Sequence, residues 1–400
     1  HSYNPPEAAM KAADVVGFYL QPEGPSWPNH GSSLGDGRPV DKYLWEEAHQ
    51  IVKLYGNYPS FCLFAIGNEP RGRWVPWVSK FVNYWKEKDN RRVYTGASVG
   101  GSWAWQPASQ FHVKAGARGL EWGRMPESNS DFSERIDTVS QPYVSHETGQ
   151  WCVFPDFSEI SKYTGVMKAR NFELFREDLT DRGMGDQAAS FLMASGKLQA
   201  LCYKHEIEKT LRTPGYAGFQ LLSLNDYSGQ GTALVGVLNA FWEEKGYINA
   251  AEFRRFCAPT VLLARMDKFV FKNNENLKAN IEISHFGEDV LKGKQTEWKV
   301  KNSLGKIISK GILSAKDIQI GNCQQLGEIH LPLSFVKEAE KLILEVTLNG
   351  TDISNDWEFW VYPESLPVVD NTTVYMCDTL AENSKTVLKN GEAERLRVSR

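Results

Sequence analysis

The chain has no uninterrupted apolar run of 18 residues or more, so no segment reads as a membrane-spanning helix, and insertion into a membrane is not expected. It has little charge imbalance either. Forty-five basic against 49 acidic side chains leave a formal net charge of −4, which excludes a nucleic-acid binder working by bulk charge. The six cysteines stand singly, with no C-x-x-C pair and no clustered histidine, so neither a zinc site nor a disulfide framework is indicated. No glycine-rich phosphate fingerprint follows any apparent strand, which argues against a dinucleotide fold. Ser145 directly precedes His146 and would point to the opposite face of a strand, so a Ser/His/Asp hydrolase is discarded as well.

What remains is ordinary globular usage, 42% hydrophobic and 24% charged, in 400 residues, enough for two or three domains. Tryptophan is abundant, with ten of the thirteen before residue 260. Flat indoles serve as platforms for sugar rings, although core packing accounts for most tryptophans in most proteins.

Residues 7–14 predict a short helix, with proline ahead of it, followed at once by an apolar strand over 15–21 that reads as buried on both faces. A Gly/Pro/Ser loop over 24–39 leads to an amphipathic segment over 42–55. The apolar run 61–66 then ends in Gly67-Asn68-Glu69-Pro70, a helix follows near 77–86, and strands are expected at 92–97, 111–113, 143–146 and 217–223. The last two are separated by a long loop and a helical stretch over 185–211. Strand, loop and helix alternating in this way predict a parallel α/β domain. Glu23, Asn68, Glu69, His146, Glu147, Asn225 and Asp226 all fall at strand C-terminal ends, where a (β/α)8 TIM barrel keeps its chemistry. Only six strands are found, so the expected fold is a barrel lacking two strands.

From about residue 261 the pattern changes to short alternating segments separated by turns such as Asn349-Gly350, which predicts an antiparallel β-sandwich. The expected division is a barrel domain over 1–260, a sandwich over 261–364, and a linker with the start of a further domain over 365–400.

Chemistry concentrates in two places. In the first, the carboxylate of Glu69 comes immediately after an apolar strand, where desolvation would raise its pKa as a general acid requires. Capping of the next helix, or pairing with Arg71 or Arg73, is the plain structural alternative. In the second, Gln141-Pro142-Tyr143-Val144-Ser145-His146-Glu147 is again a short strand ending in a carboxylate, about 80 residues later. Two such groups about 5–5.5 Å apart support retaining glycoside hydrolysis, and a gap of about 6.5–9.5 Å supports inversion.

Tyr58-Pro59-Ser60-Phe61-Cys62-Leu63-Phe64-Ala65-Ile66-Gly67-Asn68-Glu69 resembles the acid/base segment of glycoside hydrolase family 2, the β-galactosidase, β-glucuronidase and β-mannosidase family, whose pattern is roughly H-P-S, an apolar run, then G-N-E. His1-Ser2-Tyr3-Asn4-Pro5-Pro6 resembles the S-H-Y-P stretch after the second barrel strand of that family. The likeness covers residues 1–260 as a catalytic barrel missing its first two strands, followed by an immunoglobulin-like sandwich, and implies upstream domains of the same chain. It implies Glu69 as general acid/base, Asn68 as partner of the sugar 2-hydroxyl and Glu147 as nucleophile. His1 and Glu23 would be substrate-side residues, with His146, Trp151, Trp105 and Asn225 as further candidates around the sugar and Trp103 as another possible platform. No metal or organic cofactor is expected.

The implied activity is that of an exo-acting retaining β-glycosidase with a carbohydrate substrate, in a periplasmic or extracellular setting. Two departures stand out. The family commonly has a Trp at the end of strand eight, where this chain has Leu221-Leu222-Ser223-Leu224-Asn225-Asp226-Tyr227, and its strand-six Tyr has no counterpart around His112. A non-catalytic carbohydrate-binding protein on a decayed barrel is therefore the competing expectation. An open barrel missing two strands should also be less stable than a closed one, and inactivity of this length of chain would follow from it.

Overall fold

In the computed structural model, the described residues are 3–27, 33–227, 229, 231–365, 374–377, 381–390 and 395–398. The chain mixes helices and sheets in its first 260 residues and forms a β-sandwich after them.

The first helix, Glu7–Val16, begins after Pro6 and ends at Gly17, whose left-handed φ of 71° lets its N–H close back onto Ala13. This corrects the strand expected over 15–21. Val15 and Val16 complete the helix, Phe18 and Tyr19 are exposed, and extended pairing starts only at Leu20. A short apolar stretch is compatible with either state, and the glycine decided it.

Six parallel segments then run side by side in chain order. Leu20 and Glu23 bridge to Phe61 and Ala65, Leu63 and Phe64 pair with Val93 and Tyr94, and Val99 bridges to Lys114. His112–Lys114 pairs with Tyr143–Thr148, which pairs with Tyr216–Leu221. The helices Pro39–Tyr55 and Trp74–Lys88 connect the first three segments, and Arg170–Asp181 with Ala188–Leu211 connects the last two. Arg170–Asp181 is a helix where the sequence read as loop.

The core under the first helices is aromatic. The ring of Phe64 meets Phe61, Phe81, Trp85 and Tyr94 at centroid distances of 5.4, 5.7, 6.2 and 6.3 Å. Trp74, Trp77 and Trp85 are buried there, so these three indoles serve packing and not a sugar platform. Among the described residues, no helix is long and apolar enough to cross a membrane.

The sandwich pairs a three-stranded sheet with a five-stranded one. In the first, Asn276–His285 is flanked by Thr260–Arg265 and Gly321–Pro332. The second runs in the order Ile307–Ile318, Leu291–Asn302, Glu340–Leu348, Ser354–Tyr362 and Val270–Lys272; all its pairs are antiparallel but the last. Along Ser354–Tyr362 every second residue is buried, which places Trp357, Phe359 and Val361 in a core shared with Leu277, Ile281, Leu344 and Val346.

The long helix Ala188–Leu211 docks on this sandwich through a buried charge. Glu208 is fully buried, Lys204 Nζ lies 2.6 Å from it, and Asn355 Nδ2 and Trp357 Nε1 donate to it at 2.8 and 2.9 Å. Burial opposes its charge, but the Lys204 ammonium, with His205 and the hydrogen bond from Trp357, holds its pKa below the ordinary value. Lys204→Met is expected to cost about 3 kcal/mol, because it strands a buried carboxylate that keeps its two neutral donors. Thermal denaturation of the variant checks this, and an unchanged Tm would refute it.

Candidate active site

The apolar run of the second segment carries Glu69 into place. Ile66 N–H donates to Gly96 O at 2.9 Å, Ser98 N–H to Gly67 O at 3.0 Å, and Glu69 N–H to Ser98 O at 2.8 Å, so the parallel ladder extends to the carboxylate itself. Gly67 is required here: a Cβ on it would lie 1.9 Å from Ser26 Oγ. Glu69 has a positive φ of 47°, unusual for a residue with a side chain.

Glu147 is in the same condition on a different segment, with φ at 54°. Between the pairs Ser145↔Phe219 and Thr148↔Leu221, its strand holds one residue more than its neighbour, a β-bulge that re-aims the side chain. Gly149 follows at φ 79°, where a Cβ would meet Tyr203 at 2.0 Å. Arg118 fastens the bulge: its Nη1 donates to the carbonyls of His146 and Glu147, each at 2.7 Å, and reaches Glu147 Oε2 at 3.4 Å. Gln150 Nε2 donates to the same carboxylate oxygen at 3.2 Å. Left-handed backbone at a side-chain-bearing residue costs free energy and persists where surrounding contacts enforce it, which here happens twice at glutamates.

One hydrogen bond joins the two strand ends. His146 Nε2 and Asn68 Oδ1 are 2.9 Å apart, although the residues are 78 positions apart in the chain. Burial, assisted by the Arg118 charge, holds the His146 pKa down to about 3, so the imidazole is neutral. Because Asn68 Oδ1 can only accept, Nε2–H is the donor to it, and the 3.5 Å approach of the same nitrogen to Glu147 Oε1 is not an ion pair.

Glu69 is half-buried. Its carboxyl pKa is raised, first by burial and also by the nearby charge of Glu147, while a hydrogen bond from Trp27 Nε1 at 3.3 Å opposes the rise. Glu69 does not cap the following helix, and Arg73 pairs with Asp36 instead. The Arg71 charge acts on Glu69 only weakly.

The other candidates spread around this pair. Glu23 is buried and accepts from Gln21 at 3.1 Å and from Ser98 Oγ, and its backbone bridges to Ala65 on the strand that leads to Glu69. Trp103 donates to Pro70 O at 3.0 Å and packs beside Gly100, next to Glu69. Trp151 is turned aside to Glu206, donating at 2.8 Å, with its ring against Trp122. Trp105 packs on His112 and Lys114, and Asn225 bridges to Leu238 in a neighbouring loop. His146 is almost wholly buried, so its ring serves Asn68. His1 lies outside the described residues.

Three residues of the site escaped the sequence reading. Arg118 sits in Gly116-Ala117-Arg118-Gly119 with no spacing that ties it to Glu147, and Gln150 is one polar residue among many. Trp27 could have been noticed as an indole stranded in a Gly/Pro/Ser loop.

Residues 275–363 match the family described as Domain of unknown function (DUF8488). No curated protein matches the chain. Among solved structures, the chain is similar to a Bacteroides uniformis β-glucuronidase, at 12% identity over 90% of this chain and 41% of that one with a TM-score of 0.43. It is similar to a Parabacteroides merdae β-glucuronidase, at 11% identity over 91% and 43% with a TM-score of 0.42. An Amycolatopsis orientalis exo-chitosanase is similar at 12% identity over 90% and 44%, with a TM-score of 0.46. The chain spans less than half the length of each of these three proteins.

Proposed function

We propose that the first 260 residues carry the catalytic centre of an exo-acting retaining β-glycosidase of the family 2 type, built on six of the eight strands of a (β/α)8 barrel and followed by an immunoglobulin-like sandwich over 261–364. The observation that carries this reading is the paired placement of Glu69 and Glu147. Each stands in left-handed backbone close to the C-terminal end of a parallel strand, and the residues just before them are hydrogen-bonded to one another.

Their surroundings differ in the sense that double displacement needs. Glu69, desolvated and facing an indole, keeps its proton to higher pH and donates it to the glycosidic oxygen as the C–O bond breaks. Glu147, facing the Arg118 guanidinium, attacks the anomeric carbon to form a glycosyl ester. Glu69, now ionised, then takes a proton from the water that cleaves the ester, which restores both carboxyl groups. Asn68, with Oδ1 engaged by His146, keeps its amide N–H groups for a sugar hydroxyl.

The test is a panel of nitrophenyl β-glycosides with a pH profile. Because the proton on Glu69 is needed, kcat/KM should fall as pH rises through its raised pKa, later than an ordinary glutamate would dictate. This high-pH limb should vanish in Glu69→Gln. Absence of turnover across the whole panel would overturn the proposal.

A further inference from the structure

A cavity of about 220 Å³ lies between the turn Phe157–Lys162, the helix Arg170–Asp181 and residues 226–227 and 231–240. Glu159, Tyr163, Phe172, Asp226, Tyr227 and Leu234 line it; Asn68, Glu69, His146 and Glu147 do not. Glu159 is 2% exposed, and its Oε2 is buried without a hydrogen-bond partner among the described residues. A buried carboxyl with an unmade bond is costly, and one that borders a cavity has an obvious place to make it.

The neighbouring charges are already committed. Asp226 is neutralised by Lys245 at 2.7 Å and accepts from Gly236 N–H at 2.9 Å. Asp156 accepts from Ser158 N–H at the start of the turn, and Lys162 pairs with Glu243. Lys168 stands exposed at the rim. Burial first, then Asp226 and Asp156, push the Glu159 carboxyl up to about 7, against the opposing pull of Lys245 and Lys162. The cavity therefore offers an occupant two carboxyl groups, of which Glu159 has an oxygen without a partner among the described residues, with Lys168 at the rim and aromatic rings for a cation to rest against. An ammonium placed beside Glu159 would compensate the charge that its carboxyl takes on when it ionises. No group of three or more His, Cys, Asp or Glu able to hold a metal ion exists among the described residues.

We propose that this cavity is a binding site for a small organic ammonium compound, no larger than an amino monosaccharide, whose N–H groups donate to the Glu159 carboxylate. The proton that Glu159 loses on binding passes to solvent. This site goes beyond the glycosidase reading and stands or falls independently of it.

Glucosamine is the probe, and glucose, which has a hydroxyl in place of the ammonium, is its neutral counterpart. Calorimetric titration of the 400-residue chain at about pH 6.5, in two buffers of different ionisation enthalpy, measures both affinity and proton release. Glucosamine should bind about tenfold or more tightly than glucose, with net proton release. Both features should disappear in Glu159→Gln and persist in Glu147→Gln, which separates this cavity from the carboxylate pair. Equal affinity for the two sugars, no glucosamine binding, or an unchanged preference in Glu159→Gln would overturn the proposal. If Glu159→Gln fails to fold, as circular dichroism would reveal, the ratio and proton release of the parent chain together with Glu147→Gln decide the matter.

Discussion

Glu147→Ala is expected to lower kcat on an aryl β-glycoside by a factor on the order of 10⁴ or more, because the variant has no group to form the glycosyl ester. The left-handed bulge that aims Glu147, clasped by Arg118 through two backbone carbonyls, would remain. The lesion should therefore be chemical and not conformational: KM changes little, and the melting temperature holds. Removing the side chain also opens a space on one face of the bound sugar, beside the guanidinium. Added azide should enter it and attack the anomeric carbon directly, giving a glycosyl azide of inverted configuration. Product analysis by NMR checks this. Full turnover of the alanine variant without azide would remove Glu147 from the mechanism.

Glu69→Ala should lose about 10²- to 10⁴-fold, the contribution of a positioned general acid, and the loss should depend on the substrate. A dinitrophenyl leaving group departs without help from a proton, so its first step is nearly spared. A nitrophenyl or alkyl glycoside, which needs the proton, should show the full deficit. Azide again discriminates. With Glu147 intact, the ester forms first and azide displaces it in a second inversion, so the glycosyl azide keeps the configuration of the substrate. Opposite azide anomers from the two variants would assign the two roles separately. If both variants give the same anomer, the division of labour drawn from the Trp27 and Arg118 surroundings is wrong. These measurements also separate catalysis from simple carbohydrate binding, since a binding protein would tolerate both substitutions with no turnover to lose.

Several parts of this picture were legible before any coordinates. The run ending in Gly67-Asn68-Glu69 announced a strand with a carboxylate at its tip, because six consecutive apolar residues bounded by turn formers have few other uses. The short alternating segments from about residue 261 announced an antiparallel β-sandwich, because side chains of an extended chain point alternately to two faces. Such signals are written in near neighbours. The failure at residues 15–21 is instructive: valines and aromatics in a row were read as a buried strand, while Gly17 ended a helix there and left Phe18 and Tyr19 facing solvent.

The sequence by itself determined much of the alternation of strand and helix, though not the elements at 15–21 and 170–181, since periodicity, turn chemistry and chain stiffness act over a few residues. Tertiary structure alone decided that Asn68 and His146 share a hydrogen bond across 78 positions, that Arg118 clasps the Glu147 bulge, that Trp77 and Trp85 are core while Trp27 reaches Glu69, and that Glu159 borders a cavity without a donor. The reason is physical. Burial, charge pairing and forced backbone angles depend on which distant groups the folded chain brings within a few ångströms, and no local pattern encodes that distance.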